Sequence, residues 1–277
     1  MEIGKYNILK VSRMVDFGAY LADDAGSEVL LPSKYITDLP EIGSEIEVFV
    51  YRDSDDRPVA VTEHPYATVG EFAFLRCVAT GAVGAFLDWG LPKDLLVPHR
   101  EQRSKMHPGG EYLVYIYLDH ASGRIAASAK VEKYLGNLPA DYRCGTSVSA
   151  LVSGSNDVGY TCIVDNLHRG ILYHNELHGS LTVGQTLKAS VKNVRADGKI
   201  DLVAGGSARE RSAQVADEIE RRLKSGGTIG VTERSAPEAI ERCLHCSKKD
   251  FKKGVGHLLK SGKVTIGGDG AILLAQK

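Results

Sequence analysis

Two groups of cationic side chains have the types and spacing to hold phosphate. Lys248, Lys249, Lys252 and Lys253 recur three and four residues apart, with Lys260 and Lys263 beyond them. On a helix that spacing makes one positive stripe, which neutralises phosphates without reading bases. His99, Arg100, Arg103, Lys105 and His107 crowd a second stretch. Patterns for bond-making chemistry are poor by comparison. Cys243 and Cys246 form a lone CxxC around His245, whereas a structural zinc site needs four ligands. His174 and His178 are four apart, but Glu176 stands in the wrong place for a zinc-protease motif. No nucleophile elbow, phosphate loop or paired-carboxylate pattern is present. The expectation is a binding protein, not an enzyme, with no metal and no cofactor.

Charge distribution sharpens that expectation. The chain of 277 residues has a net charge of only −1. Residues 1–206 carry 20 Lys and Arg against 26 Asp and Glu, while residues 207–277 carry 14 against 9. A basic module on an acidic body suggests nucleic-acid contact. The five cysteines are odd in number and scattered, which suits free thiols in a reducing compartment. No apolar run reaches the roughly 18 residues of a membrane span, and the N-terminal residues lack a basic patch followed by an apolar stretch. A cytoplasmic protein without membrane contact is expected.

These side chains are positioned by a threefold repeat and a different tail. Segments Gly4–Thr62, Gly70–Lys130 and Gly145–Ala204 line up. Each opens with an apolar strand, then a strand built on glycine (Phe17-Gly18-Ala19-Tyr20-Leu21, Val83-Gly84-Ala85-Phe86-Leu87, Val158-Gly159-Tyr160-Thr161-Cys162), then three more strands. Five short strands rich in β-branched and aromatic residues, punctuated by Gly, Asp and Pro, predict a small β-barrel, with the glycine where the second strand bends. Beyond residue 206 the apolar period becomes helical. Ser207-x-x-Glu210, Ser235-x-x-Glu238 and Ser247-x-x-Asp250 predict three helix starts. Val215, Ile219 and Leu223 lie on one face of the first helix, before Gly226-Gly227. Phe251, Val255 and Leu258/Leu259 are the inward set of the third. A hairpin over Val264–Leu274 follows, giving a winged-helix layout in which the third helix is the reading helix.

With these segments in view, the chain resembles the bacterial conserved virulence factor B family. Each repeat is similar to an S1-type RNA-binding OB domain, best seen in Asp16-Phe17-Gly18-Ala19-Tyr20-Leu21. The resemblance implies a mainly β chain of three tandem S1-like barrels at 1–64, 65–137 and 138–206, followed by a winged helix at 207–277. It also implies a cytoplasmic, non-enzymatic RNA-binding protein that affects gene expression. S1 domains place two aromatics on the second strand, a histidine on the third, and Asp and Arg/Lys before the last. Repeat 1 matches with Phe17, Tyr20, Asp53 and Arg57, and has Leu31 for the histidine. Repeat 2 matches with Phe86, Asp119 and Arg124, with Val83 and Val97 at the other two places. In repeat 3 Tyr160 is displaced by one from the aromatic position, Tyr173 takes the histidine position and Lys199 the basic one.

Aromatics on a barrel face stack on bases, each worth about 1–3 kcal/mol. Alternate strand residues point to opposite faces, so Phe17 and Tyr20 share a face only through a bulge or bend at Gly18. Residues 1–69 hold 6 basic and 13 acidic side chains, a surface that repels phosphate and suits packing or a protein partner. Residues 70–137 are net +1, so repeat 2 is the preferred barrel for RNA. The expected partner is single-stranded RNA, held by several weak modules acting together. The rivals are duplex DNA held by the winged helix, and a scaffold role on ribosome or RNA-degradation machinery.

Overall fold

The glycine of each second strand decides how tightly each barrel closes. In the computed structural model, which describes residues 1–177, 179–206, 208–226, 228–268 and 270–275, Gly18, Gly84 and Gly159 pair with Pro32, Pro98 and Tyr173 of the third strands. A Cβ would sit 2.2, 2.1 and 2.2 Å from the carbonyl oxygens of Leu31, Val97 and Leu172. No side chain fits there, so the glycine is required by close backbone approach as well as by bending. The first strands help by bulging between Val11 and Arg13, Cys77 and Ala79, and Val152 and Gly154, which tightens their coil.

Barrel 1 comprises β1 (Tyr6–Val15), β2 (Gly18–Ala22), β3 (Glu28–Pro32), β4 (Glu45–Arg52) and β5 (Pro58–Val61), closed in the order β1-β2-β3-β5-β4. Barrel 2 repeats that order with β6 (Phe72–Thr80), β7 (Gly84–Asp88), β8 (Leu95–Pro98), β9 (Glu111–Asp119) and β10 (Arg124–Ser128). Barrel 3 is closed again, from β11 (Ser147–Ser155), β12 (Gly159–Val164), β13 (His168–Tyr173), β14 (Thr186–Val194) and β15 (Ile200–Ala204). A parallel ladder seals barrels 1 and 3, at Leu30 with Val59 and at Gly170–Leu172 with Ile200–Leu202. In barrel 2 the equivalent strands, β8 and β10, lie side by side with no such ladder among the described residues.

The strand register corrects one sequence expectation. Tyr173 pairs with Gly159 as Pro32 and Pro98 pair with Gly18 and Gly84. Its place is therefore that of the two prolines, and buried Leu172 is the counterpart of Leu31 and Val97. Those three side chains face the barrel cores.

The chain divides into two units, Met1–Leu135 and Gly136–Lys277. Within the first, barrels 1 and 2 share a core: Phe49, Tyr51 and Val61 pack in one apolar cluster with Trp89, Leu95 and Ile116. The Phe49 and Trp89 rings meet edge to face at 5.8 Å. Each large apolar side chain fully buried there contributes about 1.5–3 kcal/mol.

In the second unit barrel 3 is followed by α1 (Ala208–Lys224), α2 (Pro237–Leu244), α3 (Lys248–Lys260), β16 (Val264–Ile266) and β17 (Ile272–Leu274). Arg211 of α1 ties the helices to barrel 3. Its Nη1 donates to Ser190 Oγ (3.0 Å), Gly205 O (3.1 Å) and Gly206 O (2.7 Å), and its Nε lies 3.4 Å from Asp250 Oδ2. Ser247 caps α3 by accepting from Asp250 N at 3.1 Å, as its spacing predicts. The Ser235 box does not form. Pro237 starts α2 behind Ala236, and Ser235 Oγ accepts from Thr232 N instead. Proline supplies the helical φ without needing a cap. Leu259 is exposed rather than inward, because Phe251, Gly254, Val255 and Leu258 already fill the buried face of α3. Ser207, Gly227 and the histidine of the pair at 178 lie outside the described residues, as does Asp269 in the wing. No helix among the described residues is long and apolar enough to cross a membrane.

Candidate nucleic-acid interface

A cleft of about 330 Å³ opens on barrel 2 where β8 and β10 run side by side. Phe86 and Pro98 form part of its apolar wall, and Arg100 and Arg124 stand on it. Phe86 alternates with buried Ala85 and Leu87 on β7, so its ring lies half-buried on the outer face. Arg100 comes from the 3-10 turn after β8, and Arg124 is the first residue of β10. The cleft therefore gathers Phe86, Arg100 and Arg124, three residues expected from the sequence.

The cleft also has a wall from the neighbouring barrel. Tyr51 and Arg52 of β4 line it, as do Trp89 and Lys93. Arg52 donates from Nε to Gly123 O (3.1 Å) and from Nη1 to Asp56 O (2.7 Å). Lys93 Nζ donates to the carbonyls of Arg52 (3.0 Å) and Asp53 (2.6 Å), while Trp89 Nε1 donates to Lys93 O (2.6 Å). Burial pushes the Lys93 ammonium below the usual lysine range. Four cations, Arg52, Lys93, Arg100 and Arg124, thus face Asp94 and Asp119. A hydrogen bond from Ser122 holds the Asp119 carboxyl below its ordinary range. Flat apolar surface beside excess positive charge can stack a base and neutralise its phosphate.

The remaining basic loop lies outside this cleft. His99 sits with Nε2 at 3.2 Å from Gly81 O. Arg103 and Lys105 are exposed, without ion pairs among the described residues.

Barrel 1 uses its aromatics and bases differently. Phe17 precedes β2 in the turn, where its carbonyl accepts from Ser33 N, and its ring is 57% exposed. The turn rather than a bulge at Gly18 sets that exposure. Tyr20 is half-buried under the Arg13 guanidinium, 4.1 Å from the ring centroid, and Arg13 is bonded to Glu28 at 2.8 Å. Arg57 is tied to Asp53 (2.8 Å) and Asp55 (2.7 Å). Cations committed to neighbouring carboxylates have less to offer a phosphate.

On barrel 3, Tyr160 occupies the inward position of Ala19 and Ala85. It packs against the core, and its hydroxyl accepts from Leu181 N at 3.1 Å. Tyr173 donates to Asp201 Oδ1 at 3.1 Å and takes a hydrogen bond from Arg195, which also donates to Asp201 at 2.8 Å. Burial works against the Asp201 charge, but these bonds outweigh it and hold the carboxyl below its usual range. Lys199 pairs with Asp197 at 3.0 Å. The arginine nearest the expected face is therefore Arg195, which the motif comparison missed because it stands where the other repeats have Asp53 and Asp119.

In the winged helix the lysine stripe narrows. Lys249, Lys252, Lys253 and Lys260 are exposed on α3 and carry no ion pair among the described residues. Lys248 Nζ donates to Ser235 O at 2.7 Å, and Lys263 pairs with Glu220 at 2.7 Å. Arg52 had no sequence signal, since its place in the cleft depends on how two barrels pack, and Lys93 stands in the β7–β8 connection outside any motif position.

Comparison with known proteins bears on the whole chain. Residues 3–63 match the S1 domain family, and residues 217–273 match the CvfB-like winged helix domain. The conserved virulence factor B of Staphylococcus aureus strain N315 is 24% identical over 95% of this chain and 94% of that protein. The chain is similar to the conserved virulence factor B proteins over nearly its whole length. The conserved virulence factor B of Staphylococcus saprophyticus is 25% identical over 99% of this chain and 95% of its own length. The Bacillus subtilis protein YitL is 27% identical over 95% of this chain and 91% of its own. A crystal structure of a multidomain protein with nucleic acid binding domains from Streptococcus pneumoniae covers 98% of both chains at 19% identity and a TM-score of 0.41. With S1 and winged-helix domains, the protein is a nucleic-acid-binding protein.

Proposed function

We propose that the protein binds single-stranded RNA with little sequence preference and acts in post-transcriptional control of gene expression. The observation that carries this reading is the barrel 2 cleft, where Phe86 lies beside Arg100 and Arg124 with Arg52 and Lys93 on the adjoining wall. The half-buried Phe86 ring can stack on an unpaired base, whereas a base inside a duplex has its faces covered by stacking. The four exposed lysines of α3 add phosphate contacts that are blind to sequence. Joined on one chain, weak sites raise one another's effective concentration. The protein is then a cytoplasmic binder rather than a catalyst.

Titrating the full chain with labelled single-stranded RNA and with duplex DNA at matched salt tests this reading. The expected result is tighter binding to the single strand, with log affinity falling linearly as log salt rises. Tighter duplex binding would move the function to DNA, and absence of binding to either would favour a protein scaffold.

A further inference from the structure

The outward row of β9 runs Tyr115, Tyr117, Asp119, alternating with buried Val114 and Ile116. Asp119 and Tyr117 line the barrel 2 cleft. Tyr117 also lines a second, open groove of about 720 Å³, together with Tyr115, Tyr134, Lys5 and His120. The two concavities meet at one ring. The neighbours of Tyr117 and Tyr115 on β10 are Ala126 and Ser128, too small to cover the rings from that side.

Tyr134 ends the 3-10 turn Val131–Tyr134 that follows β10. Its ring stacks on Tyr115 at 3.8 Å and 19°, and lies 6.4 Å from Tyr117 at 23°. Phe72 of β6 packs on Tyr115 at 4.8 Å, so the rings form one braced stack whose half-exposed margins make a shelf along the groove. The turn is fixed to the barrel through Glu101, whose carboxylate accepts from Ser128 Oγ at 2.5 Å and from Lys133 Nζ at 2.6 Å. Preorganised rings lose little freedom when a ligand stacks on them. Packing of the connecting turn explains one side of Tyr134. It does not explain why all three tyrosines stay half-exposed toward an open groove. Lys5 and His120 border that groove and suit a phosphate backbone, with Glu2 the carboxylate on its lining.

We propose that a single strand held in the barrel 2 cleft continues over Tyr117 onto the Tyr115–Tyr134 shelf, so that barrel 2 binds more nucleotides than its cleft alone. This rests on the single-strand reading above and extends its site.

The test uses the full chain and two oligouridylates, of about four and about ten nucleotides, spanning the range of site sizes of one OB fold. Tyr134→Leu is expected to weaken the longer oligomer about fivefold and leave the shorter unchanged, with Tyr134→Phe restoring the affinity. Phe86→Ala is expected to weaken both. If Tyr134→Leu fails to fold, a fluorescent base near the end of the longer oligomer gives a second readout in the wild type. Quenching against the tyrosines supports the shelf, and unquenched emission overturns it. Unchanged affinity of the longer oligomer for folded Tyr134→Leu, with Phe86→Ala still weakened, rejects the shelf and leaves the cleft intact. Failure of the wild type to bind either oligomer overturns both.

Discussion

Arg124, one of four cations on the barrel 2 cleft, donates from Nε to Asp56 Oδ1 of barrel 1 at 3.0 Å. Asp56 lies in the hairpin between β4 and β5 in the left-handed region, at φ 68°, and its own carbonyl accepts from Arg52. The bond from Arg124 holds the Asp56 carboxyl below its ordinary range, so the acid is charged at neutral pH. The acidic first barrel therefore places a negative charge against a cation that would otherwise meet phosphate. Only Nε is spent in this bond, and the rest of the guanidinium fork stays available.

Asp56→Asn is expected to raise RNA affinity about threefold at low salt, the size of one like charge removed near a solvated phosphate. The gain should fade as salt rises, since the pair is exposed and screened. Weaker binding by the variant would show instead that the carboxylate acts by orienting Arg124.

Lys249 and Lys253 stand one turn apart on α3 with no carboxylate partner among the described residues. Replacing both by Glu should lower RNA affinity and flatten the plot of log affinity against log salt by about 1.4, near 0.7 for each single-strand phosphate that is no longer neutralised. Lys263→Glu should do less, because Glu220 already holds that lysine. An unchanged slope in the double variant would remove the winged helix from the interface.

The barrels were legible because local chemistry repeats: at Gly18, Gly84 and Gly159 a Cβ would lie within 2.2 Å of a carbonyl oxygen of the third strand. The α3 cap at Ser247 was equally local. What escaped was non-local. Arg52 enters the cleft only because barrels 1 and 2 share a core, and Lys93 of the β7–β8 connection is held there by the carbonyls of Arg52 and Asp53. Lys248 and Lys263 are on the expected stretch but are engaged by Ser235 and Glu220, far away in sequence. Tyr173 was misplaced by one residue because repeat 3 has no proline to fix the register that Gly159 sets.

Gly254 and Gly256, two residues apart on α3, should respond oppositely to alanine. A Cβ at Gly254 would lie 3.0 Å from Ser212 O and 3.2 Å from Ala216 N of α1. The helices must then separate, at a cost of about 1–3 kcal/mol. At Gly256 nothing lies within 4 Å, so alanine should stabilise α3 by about 1 kcal/mol through its helix propensity. Amide exchange in α3 of the full chain reads both effects. Equal loss of protection in the two variants would contradict the packing described for this pair of helices.

His168 gives barrel 3 a pH dependence of its own. Its ring is 4% exposed and meets Tyr142 edge to face at 5.5 Å. Burial pushes its pKa below the ordinary histidine value, with Asp165 opposing the shift. The folded barrel thus keeps His168 neutral at pH values where the unfolded chain takes up a proton. Stability is full above about 6.5, the unfolded value, declines as pH falls below it, and levels off below the depressed folded value. His168→Phe keeps an aromatic of similar size without the titration. It should remove the decline that sets in as pH falls through about 6.5, leaving the losses from carboxylates such as Asp201 to a more acidic window. Amide-exchange protection of β13 and β15 in the full chain, followed through that range, measures it. A decline that persists unchanged in His168→Phe would assign the pH dependence to another group.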